Sequence, residues 1–190
     1  MMAIRTGDGA SVATPSTAGV IVNVVAFQIG WFACVIGAAH GWPWAGPAVA
    51  AAVVALHVVH AARPVQELKL AAIAVVMGVL WDSSLAMPGW MAFTTGTLID
   101  GMAPPWILAM WALFATTLNV SLDWLKGRWL IGALLGAVAG PLSYWAGVRL
   151  GAIVLVEQVP ALVALSIGWA VMTPLLAALA RRYDGIHATN

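Results

Sequence analysis

Asp82 stands in the run VMGVLWDSSLAM, an acid among apolar residues and followed at once by Ser83 and Ser84. A second polar group, Ser143 with Tyr144, interrupts the run GAVAGPLSYWAGV. A carboxyl and a phenol held together can serve as acid and base toward a bound molecule, so Asp82, Ser84, Ser143 and Tyr144 form a candidate polar site. Asn23, Gln28 and Asn119 are amides in similarly apolar surroundings. Such amides hydrogen-bond between helices, each adding about 1 kcal/mol, or read a neutral ligand. His57 and His60 lie one helical turn apart, a spacing that lets two imidazoles share a metal. A metal needs further ligands, however, and the nearest acid, Glu67, falls beyond Pro64 in what reads as a loop. The favoured reading is two histidines at a membrane interface, with no metal site. The phosphate-binding GxxxxGK[ST] loop, the Gly-x-Ser-x-Gly turn and the H-E-x-x-H helix are all missing, and no cofactor is expected.

The elements that must position these residues follow from composition and charge. The 190 residues are 63% hydrophobic and 8% charged. A soluble domain carries about a quarter charged residues, so the solvent for most of this surface must be lipid. Seven of the eight basic residues fall in alternate gaps between six apolar stretches: Arg5, then Arg63 and Lys69, then Lys126 and Arg128, then Arg181 and Arg182. Short loops rich in Lys and Arg stay cytoplasmic. The expected fold is therefore all-α and integral to a membrane, a bundle of six transmembrane helices with both termini cytoplasmic. A net charge of +1 with no basic stripe excludes a nucleic-acid partner. The single cysteine, Cys34, has no internal partner for a disulfide.

The predicted spans run over 19–39, 44–60, 68–87, 104–124, 129–148 and 160–180, between tails at 1–17 and 183–190. The first stretch is about 20 residues long and contains Asn23 and Gln28, too long and too polar for the core of a signal peptide. Prolines open the fourth span at Pro104 and Pro105, where a missing N–H costs little. Trp42, Trp44, Trp90 and Trp106 mark one interface, Trp124 and Trp129 the other. At about 1.5 Å per residue, Asp82, Ser143 and Tyr144 share an outer polar layer, Asn23 and Asn119 share an inner one, and Gln28 lies between. The 89–103 connection is read as an interfacial loop or as a lid, with Asp100 at the cavity mouth in the second case. Gly132, Gly136 and Gly140 recur every fourth residue, a spacing that lets helix backbones approach closely, and form the expected packing face.

Asn23, Phe27, Gln28 and Trp31, then Asp82, the run PPWILAMWALFATTLNVSLDWL from Pro104, and GPLSYWAGVRLG from Gly140 together resemble a family of bacterial inner-membrane proteins known only as a domain of unknown function. The resemblance covers nearly all of the chain beyond residue 17. It implies a multi-pass protein of the inner membrane, with genes often near fatty-acyl modifying enzymes of the cyclopropane-synthase type. Val120 and Asp123 depart from the basic pattern of that family, which argues against headgroup binding at that end.

Three functional readings are compatible with these residues. The favoured one is a lipid-associated accessory to fatty-acyl or phospholipid modification, with membrane lipids and lipid-modifying enzymes as partners. A small-solute or proton-coupled transporter with a central polar site is the second. A membrane-embedded lipid enzyme using Asp82 and Tyr144 is the third.

Overall fold

The computed structural model describes residues 15–187, so most of the predicted 1–17 tail and the last three residues lie outside the described residues. Among these described residues six α-helices follow one another: α1 (Thr17–Ala39), α2 (Ala45–His60), α3 (Pro64–Ala86), α4 (Pro105–Leu118), α5 (Trp129–Arg149) and α6 (Gln158–Arg182). Two short strands, β1 (Met91–Phe93) and β2 (Ile153–Leu155), pair antiparallel with Ala92 opposite Val154.

Local chemistry sets the borders. Ser16 caps α1, its Oγ accepting from the Gly19 N–H at 3.1 Å. Pro64 opens α3 four residues before the predicted start at 68, because a proline in the first turn gives up no helical hydrogen bond. The fourth helix ends at Leu118, well short of Trp124. There the Thr116 and Thr117 hydroxyls donate back to the carbonyls of Leu113 and Phe114 at 2.7 and 2.6 Å. The N–H groups of Val120 and Leu122 then both turn to the Thr117 carbonyl. Side-chain hydroxyls bonded to nearby carbonyls compete with the helix, and the chain leaves it for a single 3-10 turn at Asp123–Leu125.

Four helices, α1, α3, α5 and α6, are long and apolar enough to cross a membrane, whereas α2 and α4 are shorter apolar helices. Large apolar side chains cover the outside: Val59, Leu80, Leu130 and Ile167 are all exposed. In water such a surface would cost about 25 cal/mol for each Å² of apolar area. The several apolar helices fit a multi-pass membrane protein.

The buried centre belongs to α4. Eight of its 14 residues are buried, among them Trp106, Ile107 and Trp111. It packs against α1, α2, α3 and α6, while α5 packs mainly along α6. Helices α1 and α5 thus stand on either side of a gap.

Candidate functional site

That gap is a cleft of about 610 Å³. One wall is α1, with Val24, Phe27, Gln28 and Trp31; the other is α5, with Leu135, Ala139, Gly140 and Ser143. Its floor comes from Trp111 and Phe114 of α4 and Trp169 and Thr173 of α6. The floor is rigid: Trp111 stacks on Trp169 with ring centroids 4.8 Å apart, and Phe114 meets Trp169 edge-on at 5.4 Å. Val24 and Leu142 at the rim are also exposed on the apolar outside, so the cleft opens sideways through it. Among the described residues, no charged side chain lines it. Its volume falls within the range of about 300–1,000 Å³ usual for small-molecule sites.

Asp82 lies behind this cleft. It is fully buried and accepts two hydrogen bonds, from the Trp111 indole N–H at 2.7 Å and from the Tyr144 hydroxyl. Trp111 and Tyr144 line the cleft and Asp82 does not, so the carboxylate reaches a bound molecule only through those two groups. Gly78, one turn before Asp82 on α3, leaves the space that the Trp111 ring fills. Ser143 shares the cleft with Tyr144 but accepts instead from the Trp31 indole N–H at 3.1 Å, a bond that ties α1 to α5. Ser84 belongs to neither group: it is exposed and donates to the Trp81 carbonyl at 2.6 Å. Its neighbour Ser83 is the buried one, accepting from the Ala103 N–H at 3.1 Å and holding the long connection against α3. Asp100 is exposed and lies away from the cleft lining.

The two asparagines have separate partners. Asn23 donates to the Thr116 carbonyl at 3.0 Å and accepts from Ser121 at 2.7 Å, joining α1 to the end of α4. Asn119 is fully buried and donates to Glu67 Oε1 at 2.7 Å. Glu67, read from the sequence as a loop residue, is in the first turn of α3 and buried. Its carboxylate also meets His57 Nε2 at 2.8 Å and accepts from the Gly185 N–H at 2.7 Å. The signal for Glu67 was present in the sequence, since a helix begun at Pro64 carries residue 67 into its first turn. Trp111 as a partner of Asp82 left no such signal beyond the need of a buried indole N–H for an acceptor.

The segment after α6 folds back over this end. Arg63 donates to the carbonyls of Asp184 and His187 at 2.5 and 3.0 Å. Asp123, Asp184 and His187 offer ligand atoms within 4.8 Å of one another. The Lys126 ammonium already bridges the two carboxylates, at 2.6 Å from Asp123 and 2.8 Å from Asp184, so a cation there would have to displace it. Burial pushes the Asp184 carboxyl up, but hydrogen bonds from Lys126 and His187, with the Lys126 charge, outweigh burial and hold it below the ordinary carboxylate value.

The small residues of α5 set how closely the cleft's far wall stands to its floor. Gly132, Gly136 and Gly140 are all buried and face α6. A Cβ on Gly132 would meet Pro174 at 3.3 Å, one on Gly136 would strike the Trp169 carbonyl and Thr173, and one on Gly140 the Trp169 ring. The chain's similarity to other proteins bears on this same region. A family model described as a protein of unknown function (DUF2878) matches residues 20–175, a segment that holds every cleft-lining residue. No curated protein and no solved structure matches the chain.

Proposed function

Because the chain belongs to the DUF2878 family, whose description assigns no activity, we propose from the site itself that it holds a lipid chain in the cleft between α1 and α5. In this reading it is a multi-pass protein of the bacterial inner membrane, acting as an accessory to fatty-acyl or phospholipid modification. The observation that carries the reading is a 610 Å³ cleft lined by aromatic side chains, open sideways onto an apolar surface and, among the described residues, free of charged lining. A chain already dissolved in the bilayer enters such a space without losing water. An ion or charged solute would have to shed its hydration with no opposite charge to meet it, a cost of several kcal/mol or more. The same absence of charge argues for holding over chemistry, since Asp82 is screened from the cleft by Trp111 and Tyr144. The gene context implied by the family resemblance supports the accessory role.

Filling the cleft tests this reading. Ala139 is exposed and lines the α5 wall, so Ala139→Trp adds an indole to the space. The wild-type protein, purified in mild detergent and weighed by native mass spectrometry, is expected to retain a lipid that the folded Ala139→Trp variant releases. Equal retention by the two proteins would place the lipid elsewhere and end the proposal.

The membrane arrangement in this reading has six crossings with both termini cytoplasmic. Helix α4, 14 residues long, spans only about 21 Å against about 30 Å of hydrocarbon. Its neighbours surround it, so thickness mismatch with lipid does not arise there. Reporter fusions after Lys126 and after Asn190 are expected to score cytoplasmic, and a fusion at Gly96 periplasmic. A cytoplasmic signal at Gly96 would refute six crossings.

A further inference from the structure

Gln28 is out of keeping with the cleft it lines. It sits at the middle of α1, its side chain is exposed at the cleft wall, and it makes no hydrogen bond to the described residues. The amide nearest it in the same helix is satisfied: Asn23, five residues earlier, has both a donor and an acceptor partner. A primary amide brings two N–H donors and an acceptor oxygen. Held in hydrocarbon with no partner, such a group is unfavourable, so its place half-way along a membrane-length helix calls for a partner outside the described residues. Ser143 points the same way. Its oxygen accepts from Trp31, and its own proton meets no acceptor among the described residues. Water is disfavoured as that partner, because the lining is mainly apolar, with Phe27, Ile107, Met110, Phe114 and Leu142 among it.

We infer that the occupant of the cleft is a chain bearing a neutral oxygen function, a carbonyl or hydroxyl, part-way along its length, and that Gln28 hydrogen-bonds to that oxygen. This rests on the proposal that the cleft holds a lipid chain, and it names which one. An unmodified acyl chain has its only oxygen atoms at the headgroup, near the membrane surface. At the depth of Gln28 it would present only methylene groups. The fitting class is therefore an acyl or prenyl chain that carries a neutral ketone or alcohol part-way along it. A charged group is disfavoured at this depth, since no cation or anion among the described residues lines the cleft.

The test uses the full chain in detergent and four probes of equal length: hexadecane, a mid-chain C16 ketone, a mid-chain C16 alcohol and palmitate. Apparent affinities come from the rise in unfolding temperature with probe concentration. The ketone and alcohol are expected to bind about tenfold more tightly than hexadecane, the factor that corresponds to about 1.4 kcal/mol and so to one hydrogen bond at the strong end of its range. Palmitate is expected to bind no better than hexadecane. Gln28→Leu should abolish the preference and keep or improve the affinity for hexadecane. Ala139→Trp should weaken all four. Equal binding of the first three probes to the wild type, or a preference that survives Gln28→Leu, would overturn the inference while leaving the cleft proposal intact. Probes that bind wild type and Ala139→Trp alike would instead remove the cleft proposal on which it rests. Mass spectrometry of the lipid extracted from the protein separates the two sources. An acyl or a prenyl chain that carries a neutral ketone or alcohol part-way along it supports the inference, and enrichment of an unmodified saturated phospholipid overturns it.

Discussion

Asp82→Leu is expected to lower the stability of the folded protein by several kcal/mol, and Tyr144→Phe added to it is expected to restore part of the loss. The carboxylate serves two buried donors, the Trp111 indole and the Tyr144 hydroxyl. Leucine removes both acceptors while keeping the volume, and each orphaned buried donor costs about 1–3 kcal/mol. Removing the phenolic oxygen as well deletes one of the orphans, so the double variant should unfold at a higher temperature than Asp82→Leu alone. Recovery of about 1 kcal/mol or more is the expected result of thermal unfolding in detergent. A double variant less stable than the single one would mean that Tyr144 contributes through packing rather than through its bond to Asp82. Asp82→Asn should fall between wild type and leucine, because an amide oxygen still accepts one of the two donors.

The second large effect belongs to the contact between α5 and α6. Gly136→Leu is expected to prevent that contact outright, and even Gly136→Ala should cost about 1–3 kcal/mol. The added Cβ would strike a backbone carbonyl, that of Trp169, which cannot rotate away as a side-chain tip can. Leu135→Ala, one residue earlier on the cleft side and partly exposed, should cost no more than about 1 kcal/mol. Unfolding of the three variants in one detergent checks the order. Similar losses for Gly136→Ala and Leu135→Ala would mean that the helices can separate at little cost.

The sequence predicted the helices better than the connections between them, for a physical reason. Apolar length and basic borders are properties of single segments, and the starts of α1 and α5 fall within two residues of expectation. The glycine spacing is legible in the same way, since Gly132, Gly136 and Gly140 share a face whatever lies opposite. Partners across the fold are not legible. Counting along the helices puts Asn23 and Asn119 at similar depth, yet one turns to Ser121 and the other to Glu67, because side-chain direction around the helix decides contact as much as depth does. Asp82 was identifiable as a buried acid, but its separation from the cleft depends on Trp111 filling the space above Gly78. The strands were missed because three-residue segments carry too little pattern to read.

The pairing of β1 with β2 joins residues about sixty positions apart, Ala92 with Val154, and Thr94 reinforces it by donating twice to the Ala152 carbonyl. Until the ribosome has made the chain as far as Leu155, the stretch after α3 has no strand to pair with. Contacts so distant in sequence form late, because the loop must close before any bond rewards it. The four helices before it therefore assemble with that end unfastened; α5 then brings the far wall of the cleft, β2 closes the seam, and α6 completes the floor. A nascent chain arrested before Leu155 would have the central helix in place and no cleft to fill.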